Sequence, residues 1–176
     1  MVEALSRALP AYTTVEEPYC LLEEEGYEFA EVPSFEDFEL QLQRSIECLT
    51  NSGPDVIFDR CPIDLVAYLL THQDADASQL EEWMPRVQPA IKQLDVIVFL
   101  PVERRDRIDV PSSEDKGYRR EVDEKLKEIL LETWTDIDLN VLEVTGTLDN
   151  RVEQVLTFLR EGGADSRRGT ERAKHT

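Results

Sequence analysis

Histidine is scarce: only His72 and His175 occur in the 176-residue chain. A Ser–His–Asp triad or a histidine-based metal site therefore has little to draw on, and a lone histidine is usually just solvated. Cysteine is also scarce, and its count is odd. Cys20, Cys48 and Cys61 lie far apart with no CxxC pair. That spacing argues against a disulfide framework and against a zinc site. Free thiols fit a reducing compartment, so a cytoplasmic location is expected. No apolar run is long enough to span a bilayer, and no signal-peptide pattern is visible. Positive charge is in short supply: 19 Lys and Arg against 38 Asp and Glu leave a formal net charge of −19. Such a surface repels nucleic acid and anionic lipid, and neither is an expected partner. A local basic pocket remains compatible with it. Most of the basic residues are Arg, whose planar fork suits bidentate phosphate contact.

Enough apolar sequence remains for one domain with a real core: 41% of the residues are hydrophobic. Val2, Leu5 and Leu9 recur at helical spacing, so the chain opens on an amphipathic helix. Residues 11–15 are β-prone and end at Glu16-Glu17-Pro18, where Pro18 stops a central strand. Residues 19–33 read as irregular and acidic with room for a short helix. Ser34 reads as the cap of a helix carrying Phe35, Phe38, Leu42, Ile46 and Leu49 on one face. Val56-Ile57-Phe58 is an apolar triplet closed by Asp59-Arg60, the pattern of a buried parallel strand. Helices are expected over 63–71 and from a cap at Ser78, the latter kinked or interrupted by Pro85 and Pro89. Residues 95–100 form the second strong strand. A helix from about Glu114 to Trp134 follows, with Glu121–Lys125 and Asp123–Lys127 pairs on its outer face. Leu139 to Val144 is the last strand, and Leu148 to Arg160 the last helix. Residues 1–161 thus read as one domain, and residues 162–176, with no apolar anchor, as a disordered tail.

Strands alternate with helices, and the strongest strands are apolar throughout. The expected fold is a three-layer α/β/α domain with a parallel sheet. Ligands of such sheets bind outside the carboxyl ends of the strands. Here three strands end in Glu16-Glu17-Pro18, Asp59-Arg60 and the Glu103–Arg107 cluster. The carboxylates can take a proton from a hydroxyl or hold Mg²⁺, and the arginines can bind phosphate. Charged strand ends are common on exposed ground, so the three together carry more weight than any one.

These residues resemble a known family. Asp59-Arg60-Cys61-Pro62-Ile63-Asp64-Leu65-Val66-Ala67-Tyr68 looks like the DRxPxDxxAY segment of small P-loop kinases. It is similar in particular to the AAA-type domain related to nicotinamide riboside kinases, and more loosely to deoxynucleoside and thymidylate kinases. Glu17-Pro18 resembles the motif whose glutamate acts as base for the acceptor hydroxyl. Arg104 to Arg107, followed by Arg119, Arg120 and Asp123, resembles an arginine lid over a triphosphate. Val144-Thr145-Gly146-Thr147-Leu148-Asp149-Asn150-Arg151-Val152 resembles the last strand and turn, beside the adenine. The resemblance implies ATP and Mg²⁺ as cofactors, with Asp59 holding the metal through water. Glu17 and Arg60 would act on a small-molecule acceptor, while Arg104, Arg107, Arg119, Arg120 and Gly146 would bind the nucleotide.

One departure is large. The phosphate loop of that family, GxxxxGK followed by Ser or Thr, has no counterpart here. Val2-Glu3-Ala4-Leu5 matches the helix that follows it. In that fold the strand before the loop lies mid-sheet, so without it the strands ending at Asp59 and Leu100 lose a shared neighbour. The expectation is an N-terminally truncated or mis-started kinase, transferring the ATP γ-phosphate to a nucleoside-like or other small hydroxyl acceptor, with little activity as it stands. The alternative is a catalytically degenerate relative that acts as a binding or regulatory module with a protein partner, its acidic surface suited to a basic one. Self-association through exposed sheet edges is a third route.

Overall fold

The computed structural model describes residues 1–75, 77–102, 116–133 and 139–162. Arg104, Arg107, Trp134 and residues 163–176 lie outside the described residues. The described chain runs α1 (Val2–Ala8), β1 (Thr13–Val15), α2 (Pro18–Glu24), α3 (Phe35–Asn51), β2 (Val56–Phe58), α4 (Pro62–Thr71), α5 (Ala77–Ile91), β3 (Ile97–Phe99), α6 (Lys116–Glu128), β4 (Val141–Glu143) and α7 (Leu148–Arg160). No described helix is long and apolar enough to cross a membrane.

Local chemistry sets several of these boundaries. Ser34 Oγ accepts the Asp37 N–H at 3.1 Å, and Asp37 Oδ2 accepts the Ser34 N–H at 2.8 Å. This reciprocal box satisfies two donors that a helix start leaves open. Pro18 and Pro62 each stand in the first turn of a helix, where no N–H is needed. Pro18 therefore both ends the strand segment and opens α2, so an ordered helix stands at the head of the segment read as irregular. α5 runs as one helix through Pro85 and Pro89, so neither proline interrupts it. Val87, Ala90 and Ile91 are buried in the core, and that packing offsets the hydrogen bonds the prolines lack. α6 closes in a π turn over Ile129–Thr133, and Lys125 pairs with Glu128 at 2.6 Å.

The strands are parallel, but they form two separate pairs rather than one sheet. β1 pairs with β2 in the register Thr13↔Val56, Thr14↔Ile57, Val15↔Phe58. β3 pairs with β4 in the register Ile97↔Val141, Val98↔Leu142, Phe99↔Glu143. Both pairs share the same two cores. Phe58, Ile97, Phe99 and Val141 belong to the large cluster built by α3, α4, α5 and α6 around Leu42, Ile63, Leu65, Val66 and Ile91. Ile57, Val98 and Leu142 pack on a small cluster of Leu5, Val144 and Val155 from the α1 and α7 side. Thr13 and Thr14 are exposed, so β1 is an outer edge, whereas β3 is the most enclosed strand.

Candidate functional site

The carboxyl ends of β1 and β2 bring Glu17, Asp59 and Arg60 together. The ladder continues one step past the strands, with the Asp59 N–H donating to Val15 O at 2.9 Å. Beyond that bond both chains turn into helices. Glu17 is the cap residue of α2, in extended conformation. Arg60 adopts φ 69°, and Cys61 caps α4 with its N–H donating to Asp64 Oδ2 at 2.9 Å. A left-handed backbone costs a non-glycine residue about 1–2 kcal/mol. Here it swings the guanidinium back over the neighbouring strand end, where Arg60 Nε meets Glu17 Oε2 at 2.8 Å. The guanidinium carbon also stands 5.3 Å from the centre of the Tyr68 ring, a cation–π contact.

Burial alone would lower the pKa of Arg60. Tyr68 and the Glu17 carboxylate outweigh that effect, and the guanidinium is held more firmly protonated than usual. The other Glu17 oxygen, Oε1, accepts from the Cys20 thiol at 3.8 Å. Burial, then Glu17, pushes that thiol up and away from thiolate reactivity. Cys61 is buried, and its thiol is pushed well up, chiefly by desolvation, away from thiolate reactivity.

Tyr68 extends the constellation. Its ring stacks on Phe38 at 5.0 Å, and the Tyr118 hydroxyl donates to its carbonyl at 3.4 Å. Tyr118 immediately precedes Arg119 and Arg120 on α6, so the start of α6 is anchored beneath Arg60. Asp123 Oδ1 accepts the Val102 N–H at 2.9 Å and so ties α6 to the chain just past β3. Sequence reading gave no role to Tyr68 beyond its place in the motif. The signal that finds it is an aromatic one turn or two past an arginine that must fold back. Gly146 has φ +97° at the turn between β4 and α7. It is not among the residues lining the cleft described next.

That cleft, of about 540 Å³, lies between the start of α1 and the carboxyl ends of β1 and β2. It is lined by Met1, Val2, Glu3, Ser6, Arg7, Thr14, Val15, Glu16 and Asp59. Among the described residues no group of three or more His, Cys, Asp or Glu converges as a metal cage. Mg²⁺ needs only one or two carboxylates with water filling the rest, and Asp59 suits that role. Phosphate is a different matter. Three carboxylates face one guanidinium in the lining, and Arg60 is committed to Glu17 and Tyr68. The described residues thus fit the metal and do not, by themselves, fit the phosphates of a nucleotide.

Helices mixed with short parallel strands are consistent with an α/β, P-loop-like fold. The chain belongs to the AAA domain family, which it matches over residues 1–151. That family points to a nucleotide-binding P-loop protein, and such domains generally use a nucleotide with Mg²⁺. No curated protein matches the chain. No solved structure matches it either.

Proposed function

We propose that this chain is the acceptor-side and lid-side part of a small-molecule kinase of three-layer α/β/α build. Residues ahead of Met1 would supply a strand and the phosphate loop. The observation that carries the reading is the Glu17–Arg60 pair, held across adjacent strand ends at 2.8 Å beside an Asp59-lined cleft. Asp59 is the carboxylate placed to hold Mg²⁺ through water. Glu17 is the group placed to take a proton from an acceptor hydroxyl, once Arg60 shifts from it to a substrate oxygen. Arg104, Arg107, Arg119 and Arg120 are the basic residues of the lid side. Gly146 marks the nucleotide-base side, and a small hydroxyl-bearing metabolite is the acceptor.

The test is Asp59→Asn in a chain extended upstream through a phosphate loop. Mg²⁺-dependent phosphoryl transfer should fall about a hundredfold or more; turnover within a few-fold of the parent removes Asp59 from the mechanism. The carboxylate-rich lining of the cleft favours a second reading, a binding module without triphosphate affinity. Titrating Mg·ATP into the extended chain separates the two, because the module leaves the nucleotide unbound while the kinase takes it up.

A further inference from the structure

Arg60 meets Glu17 on the neighbouring strand end and the Tyr68 ring on the helix that follows it. The two contacts differ in how firmly the other side is held. The Glu17 and Arg60 side chains stay 30% and 36% exposed. An ion pair that open to water is screened by salt and exchanges easily. Tyr68 is fixed from behind. Its ring lies nearly parallel to that of Phe38, at 5.0 Å and 14°, and Phe38 is buried in the large core. The Tyr118 ring leans on it at 6.2 Å, and the Tyr118 hydroxyl donates to the Tyr68 carbonyl at 3.4 Å. None of these supports runs through Glu17. The backbone that aims Arg60 is also independent of the Glu17 side chain. The Asp59 N–H is tied to Val15 O, and the Cys61 N–H to Asp64 Oδ2. These bonds hold the left-handed residue from both sides, so its side chain leaves the turn in one direction whether or not Glu17 meets it. Asp64 stands one helical turn before Tyr68. The residue that caps α4 and the residue that receives the guanidinium therefore share one face of that helix.

We infer that Tyr68 is a positioning residue: its ring is the fixed seat of Arg60, and Glu17 is the exchangeable partner. The use of that seat rests on the proposed function, in which Arg60 passes from Glu17 to a substrate oxygen. A guanidinium held only by Glu17 would lose its place at that moment. One seated on Tyr68 keeps its place while Nε trades one oxygen for another, and Glu17 is released to take its proton. The planar guanidinium suits this arrangement, because it can lie on an aromatic face and still present its N–H groups to an oxygen at the edge.

The test reads Arg60 itself by NMR in the 176-residue chain, without nucleotide. Glu17→Ala removes the carboxylate and costs α2 no cap bond, since the Glu17 side chain makes none. The ring-current shift of the Arg60 Cδ protons should survive that change, and should survive about 1 M salt in the parent chain. Tyr68→Leu removes the seat and leaves Glu17 in place. Exchange of the Arg60 Nε–H should then quicken about tenfold, whereas Tyr68→Phe, which keeps the ring, should restore the parent rate. Arg44, which pairs with Glu25 and Glu47, is the control. If its Nε–H quickens as well, the Leu variant has loosened the core, and the Glu17→Ala shift decides alone. A ring-current shift that collapses in Glu17→Ala overturns the inference, because the carboxylate is then what holds Arg60. So does an Nε–H as slow in Tyr68→Leu as in the parent, or as fast in Tyr68→Phe as in Tyr68→Leu. A lost seat leaves the Mg·ATP titration of the proposed function untouched, and a chain that binds no nucleotide sinks the kinase reading while leaving the seat standing.

Discussion

The two faces of the strands differ in depth. On one face α3, α4, α5 and α6 bury a large continuous core in which Leu42, Ile63, Leu65, Val66, Val87 and Ile91 have no exposed surface. On the other, α1 and α7 bury only Leu5, Val144 and Val155, with partly covered residues around them. The cleft with Asp59 opens on the thin side, at the start of α1. Binding elements are commonly drawn from the less stable part of a fold, and this contrast shows how one domain keeps its framework while leaving its ligand end able to rearrange. The thick face holds the DRxPxDxxAY helix α4 in place, and the thin face meets whatever fills the cleft.

The sharpest way to break this comparison is to make one chemical change on each face. Leu65→Ala removes a fully buried side chain from the thick core, and Leu5→Ala removes a nearly buried one from the thin cluster. The first should cost about 4 kcal/mol and the second about 2, because a site beside an open cleft collapses more easily around the deletion. Denaturant unfolding measures both. Equal costs would mean that the faces differ in extent and not in rigidity.

The thick face was also the more legible in sequence. The Ser34 cap, the apolar stripe of α3 and the Pro62–Asp64 start of α4 are decided within a few residues, where side-chain chemistry and helical period act alone. The strand ends were legible for a different reason. Each β-prone run closes on charged residues, so parallel pairing brings the ends at Glu17 and at Asp59-Arg60 to the same side of the strands. The left-handed backbone of Arg60 and its seat on Tyr68 were not legible. They depend on where α4 docks, and nothing local to Arg60 asks for a positive φ. The continuity of α5 through Pro85 and Pro89 was hidden likewise, since local rules weigh the lost hydrogen bonds and not the burial of Val87 and Ile91.

A smaller effect probes the turn between β4 and α7. Gly146 stands at φ +97°, and a Cβ placed there would meet the Asn150 side chain at 3.4 Å. Gly146→Ala should cost about 1–2 kcal/mol from the backbone conformation alone, with Asn150 giving way slightly. Thermal unfolding checks it. A neutral result would mean that the turn relaxes into another conformation and that α7 is loosely tied, which would deepen the contrast between the faces.

The smallest effect lies on the thick face and depends on pH. Burial tends to raise the pKa of Asp37. Hydrogen bonds from the Ser34 N–H and the Tyr27 hydroxyl, the latter at 2.9 Å, outweigh it and hold the carboxyl below its ordinary range. A depressed folded-state pKa means that the carboxylate stabilises the fold above its unfolded pKa, near 4, and that this contribution fades as pH falls through the folded value. Asp37→Asn should therefore cost about 1 kcal/mol at neutral pH, within the range for a helix-start bond to a charged acceptor. The difference from the parent should begin to shrink below about pH 4, where the unfolded chain's carboxyl protonates, and vanish only once pH has fallen through the lower folded value. Urea titrations of parent and variant at neutral and acidic pH read both points. A cost that stays constant with pH would show that the box is held by shape and not by charge, and the acid-sensitive element of the domain would then have to be sought away from α3.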